Sequence, residues 1–249
     1  MKWLINIPCE DDLVYLTDER LLGHSIVRKF IDKIHLVSQP DGKVGNKNIG
    51  FPLSVPGSNE IDGYQLVNYN FNEVVAEPSK TGSSWNLNFD LLPENIENMY
   101  IFNDPIDLMS FCELFHKKIN FDFSAFSCIQ KNITDSELSY LVNFFPRAKI
   151  HTCFDFDFYG SVLDIRTVAL KNMERVNFQK IGTLVNFEWK QKLLQLPVQE
   201  LNFAKFRAIT RIKTNIKIVK ARNALNFNSQ LMRLKNNPKT IFHFNHEKI

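Results

Sequence analysis

The chain has 249 residues, of which 44% are apolar and 23% charged, and its net charge is only +3. That is an ordinary globular composition, and no run approaches the roughly 20 apolar residues that a membrane helix requires, so no membrane association is expected. The small net charge conceals two opposite halves: residues 1–160 carry 13 Lys and Arg against 22 Asp and Glu, whereas residues 161–249 carry 17 against 5.

The opening "MKWLINIPCEDD" turns acidic too early for a secretory signal. Cys9, Cys112, Cys128 and Cys153 are far apart with no CxxC pair, which predicts neither a zinc ribbon nor a disulfide framework and points to a reducing cytoplasm. "DDLVYLTDERLLGHSIVRKFIDKIHLV" predicts two short helices. One apolar face is formed by Leu13, Leu16, Leu21 and Leu22, the next by Ile26, Phe30, Ile31 and Ile34. Residues 38–63 are rich in Gly, Pro and Asn, and "NIGFPLSV" and "DGYQLVNYNF" predict a small antiparallel piece. "EPSKTGSSWN" reads as a polar loop.

From residue 98 strands and helices alternate. "NMYIFND", "FSAFSCIQ" and "AKIHTCFDFD" are the strands, and "PIDLMSFCELFHKK", "TDSELSYLVNFF" and "GSVLDIRTVALKNM" the helices. Asp104 is a candidate N-cap with Pro105 at the first helical position, and Thr134 with Glu137 has capping-box spacing. The rhythm predicts a small parallel sheet with right-handed crossovers. After it, "VNFEWKQKLLQL" and "NFAKFRAITRIKTNIKIVKARNALNF" read as mostly helical, the latter with Phe206, Ile209, Ile212, Ile216 and Val219 as its stripe. The predicted organisation is a lead-in of residues 1–95, an α/β segment of 96–175 and a basic helical region of 176–249.

Ligands of an open parallel sheet sit at the carboxyl ends of its strands. Two acidic clusters fall there: Asn103, Asp104 and Asp107 after the first strand, and Asp155 and Asp157 after the third. Carboxylates suit a hard divalent ion such as magnesium, so Asp107, Asp155 and Asp157 are the candidate metal ligands; solvated strand ends are the alternative. No acidic residue lies between Glu200 and Glu247, while Lys205, Arg207, Arg211, Lys213, Lys217, Lys220, Arg222, Arg233, Lys235 and Lys239 all do. This block has the electrostatic footprint of contact with DNA or RNA; it can equally complement the acidic half of the same chain. Phe203, Phe206 and Phe227, interleaved with it, are candidate base-stacking residues. Cys112 and Cys153 read as core residues, and His243 and His246 of "HFNH" as a weak metal pair. No phosphate-cradling glycine motif is present.

"YIFNDPIDLMSF", followed by "CFDFDFYG", resembles the Toprim domain shared by bacterial primases, topoisomerases and related nucleases. "NDPIDLMSF" is similar to the "ESPIDALS" of mobile-element Toprim proteins. Upstream, "YLTDERLLGHSIVRKF" and "NIGFPL…IDGYQLVN" resemble the entry to a bacterial-type primase core, so the resemblance spans residues 13–172. It implies a Toprim-like small parallel sheet flanked by helices, and metal-assisted phosphoryl transfer with magnesium on Asp107, Asp155 and Asp157. The family's catalytic glutamate falls on Asn103, and an amide can neither take up a proton at neutral pH nor carry charge to a cation. Where primase cores carry an arginine, this chain has Val67 and Asn68. The reading is therefore a primase-like, nucleic-acid-associated protein with a weakened or lost centre. The alternative is a non-enzymatic scaffold whose basic region docks on its own acidic half or on a protein partner.

Overall fold

The computed structural model describes residues 4–38, 48–68, 72–76 and 83–237. Lys239, His243 and His246 lie outside them, as does most of the loop expected around 77–86.

The first sheet is an antiparallel meander in the order β1 (Leu4–Asn6), β2 (His35–Ser38), β3 (Asn48–Leu53), β4 (Gly63–Val67) and β5 (Asn72–Ala76). The two expected lead-in helices reduce to one, α1 (His24–Phe30), preceded by a 3-10 turn at Glu10–Leu13 and a π-type turn at Tyr15–Glu19; Leu13, Leu16, Leu22, Ile26, Phe30 and Ile34 are nevertheless buried, with Leu21 and Ile31 half-buried. Trp85 and Asn86, expected in a polar loop, belong instead to β6 (Trp85–Leu87), which pairs antiparallel with the second sheet. The Trp85 ring is buried against Phe30 and Phe51, its Nε1 donating to the Lys33 carbonyl at 3.1 Å.

The second sheet is built from β7 (Asn98–Phe102), α2 (Pro105–Leu114), β8 (Ser124–Cys128), α3 (Asp135–Phe144), β9 (Lys149–Thr152) and α4 (Phe158–Lys171), all expected from the alternation. Both predicted caps form. Asp104 accepts from the Ile106 amide at 2.8 Å, and Thr134 and Glu137 each accept the other's amide. β7 pairs parallel with β8 on one side and β9 on the other. Side chains alternate across it: Tyr100 and Phe102 join a core with α1 and α2, while Met99 and Ile101 join a core with α3 and α4. Helices on both faces follow from the strand order, because the chain reverses direction across β7 and each right-handed crossover then lands on the opposite face. The helices after β7 and β9 join opposite cores, so the carboxyl ends of these two strands mark the topological switch point, where the crevice of an open α/β sheet lies as a rule.

The largest departure lies after residue 176. "VNFEWKQKLLQL" is not helical. It forms most of an antiparallel meander, β10 (Asn177–Ile181), β11 (Leu184–Trp189) and β12 (Lys192–Pro197). Along β11, Val185, Phe187 and Trp189 are buried while Glu188 is exposed, a period of two rather than 3.6. The long basic helix is likewise broken. α5 (Phe203–Thr210) ends at Arg211, whose φ of 55° stops the helix. Ile212 and Ile216 are buried in an irregular segment, and Ile209 is exposed. Lys217–Ile218, β13, then adds a parallel edge beside β9, and α6 (Phe227–Asn236) packs on α2. The basic region is thus woven into the sheet rather than appended to it. Among the described residues no helix is long and apolar enough to cross a membrane.

Candidate functional site

Each acid at the crevice is placed by the helix that follows its strand. Asp104 ends β7's exit and caps α2, which puts Asp107 in the first turn of that helix, 1% exposed. One oxygen of Asp107, Oδ1, accepts the Asn228 amide of α6 at 2.9 Å; the other, Oδ2, is buried without a partner. Asp155 Oδ1 and Asn103 Oδ1 are also buried without partners. Burial pushes the Asp107 carboxyl well above the ordinary carboxylate range. The charge of Asp104 and the proximity of Asp155 push the same way, and the Asn228 amide opposes them.

Asp157 does not join this group. It is the N-cap of α4, its Oδ1 accepting the Gly160 amide at 2.7 Å. Among the described residues no set of three His, Cys, Asp or Glu side chains converges on one point. The expected three-aspartate set is therefore reduced to two carboxylates, Asp107 and Asp155, with the Asn103 amide. Two unpartnered carboxylate oxygens fit one hard cation that keeps several waters, or one shared proton.

Sequence reasoning missed the parts that hold the D-x-D loop. Asp164 is buried in α4, where Thr152 Oγ1 donates to it at 2.6 Å and Lys220 Nζ pairs with it at 2.7 Å. Lys220 Nζ also donates to the Phe154 and Asp155 carbonyls at 3.1 and 3.0 Å. The Phe156 amide donates to the Leu225 carbonyl at 2.6 Å. An aspartate inside the apolar run "SVLDIRTVAL" was a legible sign that a cation must reach that core. Gly160 completes the loop: a Cβ there would fall inside the van der Waals shell of the Asp155 carbonyl oxygen. Gly160→Ala is expected to cost about 1–3 kcal/mol in thermal denaturation, because backbone rather than a side-chain end must move.

The predicted basic residues divide by role. Lys220 is committed to Asp164. Arg233 donates to the Asn223 and Arg222 carbonyls, and Lys235 pairs with Glu113 and donates to the Leu21 carbonyl. Lys205 pairs with Glu200 at 3.2 Å on the surface. Arg207, Arg211, Lys213, Lys217 and Arg222 are solvent-exposed along α5, the loop after it, β13 and the turn before α6. Phe206 and Phe227 are buried, Phe227 among Phe102, Phe111 and Phe115, so neither can stack on a base; Phe203 is half-buried. Cys112 and Cys153 are fully buried, and burial pushes both thiols up, as core residues should be.

The unpartnered pair makes a further expectation. In Asp107→Asn the amide oxygen keeps the Asn228 bond and the new Nδ2 donor faces Asp155 Oδ1. Stability at neutral pH in a chelator should rise by about 1–3 kcal/mol, the cost of a buried unsatisfied group. A thermal midpoint below that of the wild type would refute the arrangement.

No protein-family model matches the chain, and no curated protein matches it. Solved structures do. The primase fragment of the bacteriophage T7 primase-helicase protein aligns over 90% of this chain and 71% of its own, at 10% identity and a TM-score of 0.50. A chain from the structure of bacteriophage T7 lagging-strand DNA polymerase interacting with primase domains of two gp4 subunits, bound to an RNA/DNA hybrid and dTTP, aligns over 61% of this chain and 71% of its own, at 12% identity and a TM-score of 0.45. At such identities the similarity is one of fold, and the chain has a primase-like α/β fold whose central sheet is flanked by helices.

Proposed function

We propose that this is a primase-related, nucleic-acid-associated protein of the mobile-element type, with a Toprim-like metal-dependent phosphoryl-transfer centre that is weakened or lost. The observation that carries the reading is the trio of unpartnered oxygens, Asn103 Oδ1, Asp107 Oδ2 and Asp155 Oδ1, at the crevice between β7 and β9. Magnesium would be held by Asp107 and Asp155, with the Asn103 oxygen as a neutral third group, and would supply charge stabilisation to a phosphoryl group. The chain's own residues do the rest. α6 holds Asp107 through one oxygen, and Lys220 fixes the backbone that carries Asp155. Asn103 offers no base, which is why the centre is read as weakened. Arg207, Arg211, Lys213 and Lys217 are solvent-exposed and would meet backbone phosphates. Free cysteines, three of them buried, suit a reducing cytoplasm.

A second reading has its own support. With α6 seated on Asp107 and with Lys220, Arg233 and Lys235 committed internally, the fold can serve as a scaffold without chemistry. Magnesium titration with and without a single-stranded oligonucleotide, on wild type and Asp155→Asn, separates the two. Salt-sensitive oligonucleotide binding with a magnesium response lost in the variant supports the first reading. Absence of binding at low salt removes it and leaves the scaffold. Priming or cleavage by the wild type would overturn the weakened centre.

A further inference from the structure

The D-x-D loop presents a second surface that the acidic centre does not use. Phe156, between the two aspartates, is 65% exposed, and Tyr159, in the first turn of α4, is 74% exposed. Neither ring is on a loose segment. The Phe156 amide is held by the Leu225 carbonyl, the adjacent Phe154 and Asp155 carbonyls are held by Lys220, and the Tyr159 ring stands edge-on to Phe158 at 5.6 Å. Leu225, itself exposed, extends the rim. One cation is measurably close: Lys180 Nζ lies 5.3 Å from the centroid of Phe158, the ring against which Tyr159 stands, and Arg222 is exposed three residues before Leu225. Of the neighbouring acids, Asp157 commits one oxygen to the Gly160 amide and Asp155 has one oxygen buried. Flat π faces fixed in water beside positive charge are what an unpaired base and its phosphate require; a duplex keeps its base faces inside.

We propose that Phe156 and Tyr159, on the D-x-D loop and the first turn of α4, form a base-stacking platform for single-stranded nucleic acid. The platform rests on the nucleic-acid-associated reading above and names where the unpaired strand lies. It also replaces Phe206 and Phe227, which the core has taken.

The test is fluorescence-anisotropy binding of the full chain to a labelled single-stranded DNA of about a dozen nucleotides and to an abasic strand of equal length. Phe156→Ala and Tyr159→Ala are each expected to weaken binding about tenfold, with melting unchanged because both rings are exposed. Phe156→Leu should fail as the alanine variant does, and Phe156→Tyr should bind as the wild type does. The abasic strand should bind the wild type more weakly and not respond to the variants. The salt slope should be the same throughout, since no phosphate contact is removed. Alanine variants that bind like a salt-sensitive wild type overturn the platform while leaving the nucleic-acid reading intact. Full binding by Phe156→Leu overturns it, because an aliphatic side chain offers no ring on which a base can stack. A wild type that binds no single strand at low salt takes both readings down together.

Discussion

Lys220→Met is expected to lower stability by about 3 kcal/mol, a fall of roughly 10 °C in thermal midpoint for a chain of this length. The substitution keeps the methylene bulk and removes the charge. Asp164, with only 2% of its side chain exposed, would keep its Thr152 bond but lose its cation, and the Phe154 and Asp155 carbonyls would lose their donor. Burial already pushes the Asp164 carboxyl up, and the Lys220 ammonium is the main group opposing that. Lys220→Met combined with Asp164→Leu should recover much of the loss, because the penalty belongs to the unpaired charge rather than to the missing bridge. Differential scanning calorimetry of the two singles and the double gives the coupling directly. Strict additivity would show that the pair does not interact.

The second large effect is acid sensitivity through His151. This residue sits in β9, stacked on Tyr100 at 4.5 Å, with Nε2 3.1 Å from Asn98 Oδ1 and Nδ1 buried without a partner. Burial first, then the charges of Lys217 and Lys149, lowers its pKa from 6.5 to about 4. Lys217 acts here because β13 pairs it directly with His151. A histidine whose folded pKa lies below its unfolded value takes up its proton more readily when unfolded. Stability is therefore full above pH 6.5 and is withdrawn as pH falls from 6.5 towards 4, by about 1–2 kcal/mol with solvent screening allowed for. Urea denaturation across that range should show the slope in wild type. The slope should be shallowest in His151→Gln, which lacks the imidazole share, and intermediate in Lys217→Gln. The comparison is of slopes, since carboxylates titrate in the same range in every variant.

The stretch from β7 to α4 was legible because three independent signals agreed there: apolar runs of strand length, a cap residue before α2 and before α3, and Pro105 at a first turn. The region after residue 176 was not, for two local reasons. "EWKQKLLQL" is rich in good helix formers, and the turn that makes it a hairpin, Lys190 and Gln191 at φ of 50° and 64°, lacks the Asn-Gly or Asp-Gly that announces such a turn. Tertiary burial of Phe187 and Trp189 against Phe206 overrides the propensity. In the site, the positions of the acids at strand ends could be read, but their roles could not. Asp157 stands to α4 as Asp104 stands to α2, and reading the helix as beginning at Gly160 rather than Phe158 made a cap look like a ligand. In the sequence Lys220 reads as a contact for nucleic acid and Asn228 does not stand out, because both reach the acidic loops from 65 and 121 positions away.

Those separations have a consequence for how the chain comes into being. Made from its amino end at about 5–20 residues per second, the nascent polypeptide can close the β7–β8–β9 crossovers well before residues 217–236 emerge. Until then β9 remains an open edge, Asp164 has no ammonium beside it, and the Asp107 carboxylate lacks its amide. Completion of the acidic crevice is thus a late, long-range closure, and any stop in synthesis before Lys220 leaves a folded sheet bearing bare buried charge. Such a product should be the fraction that proteases and chaperones remove first.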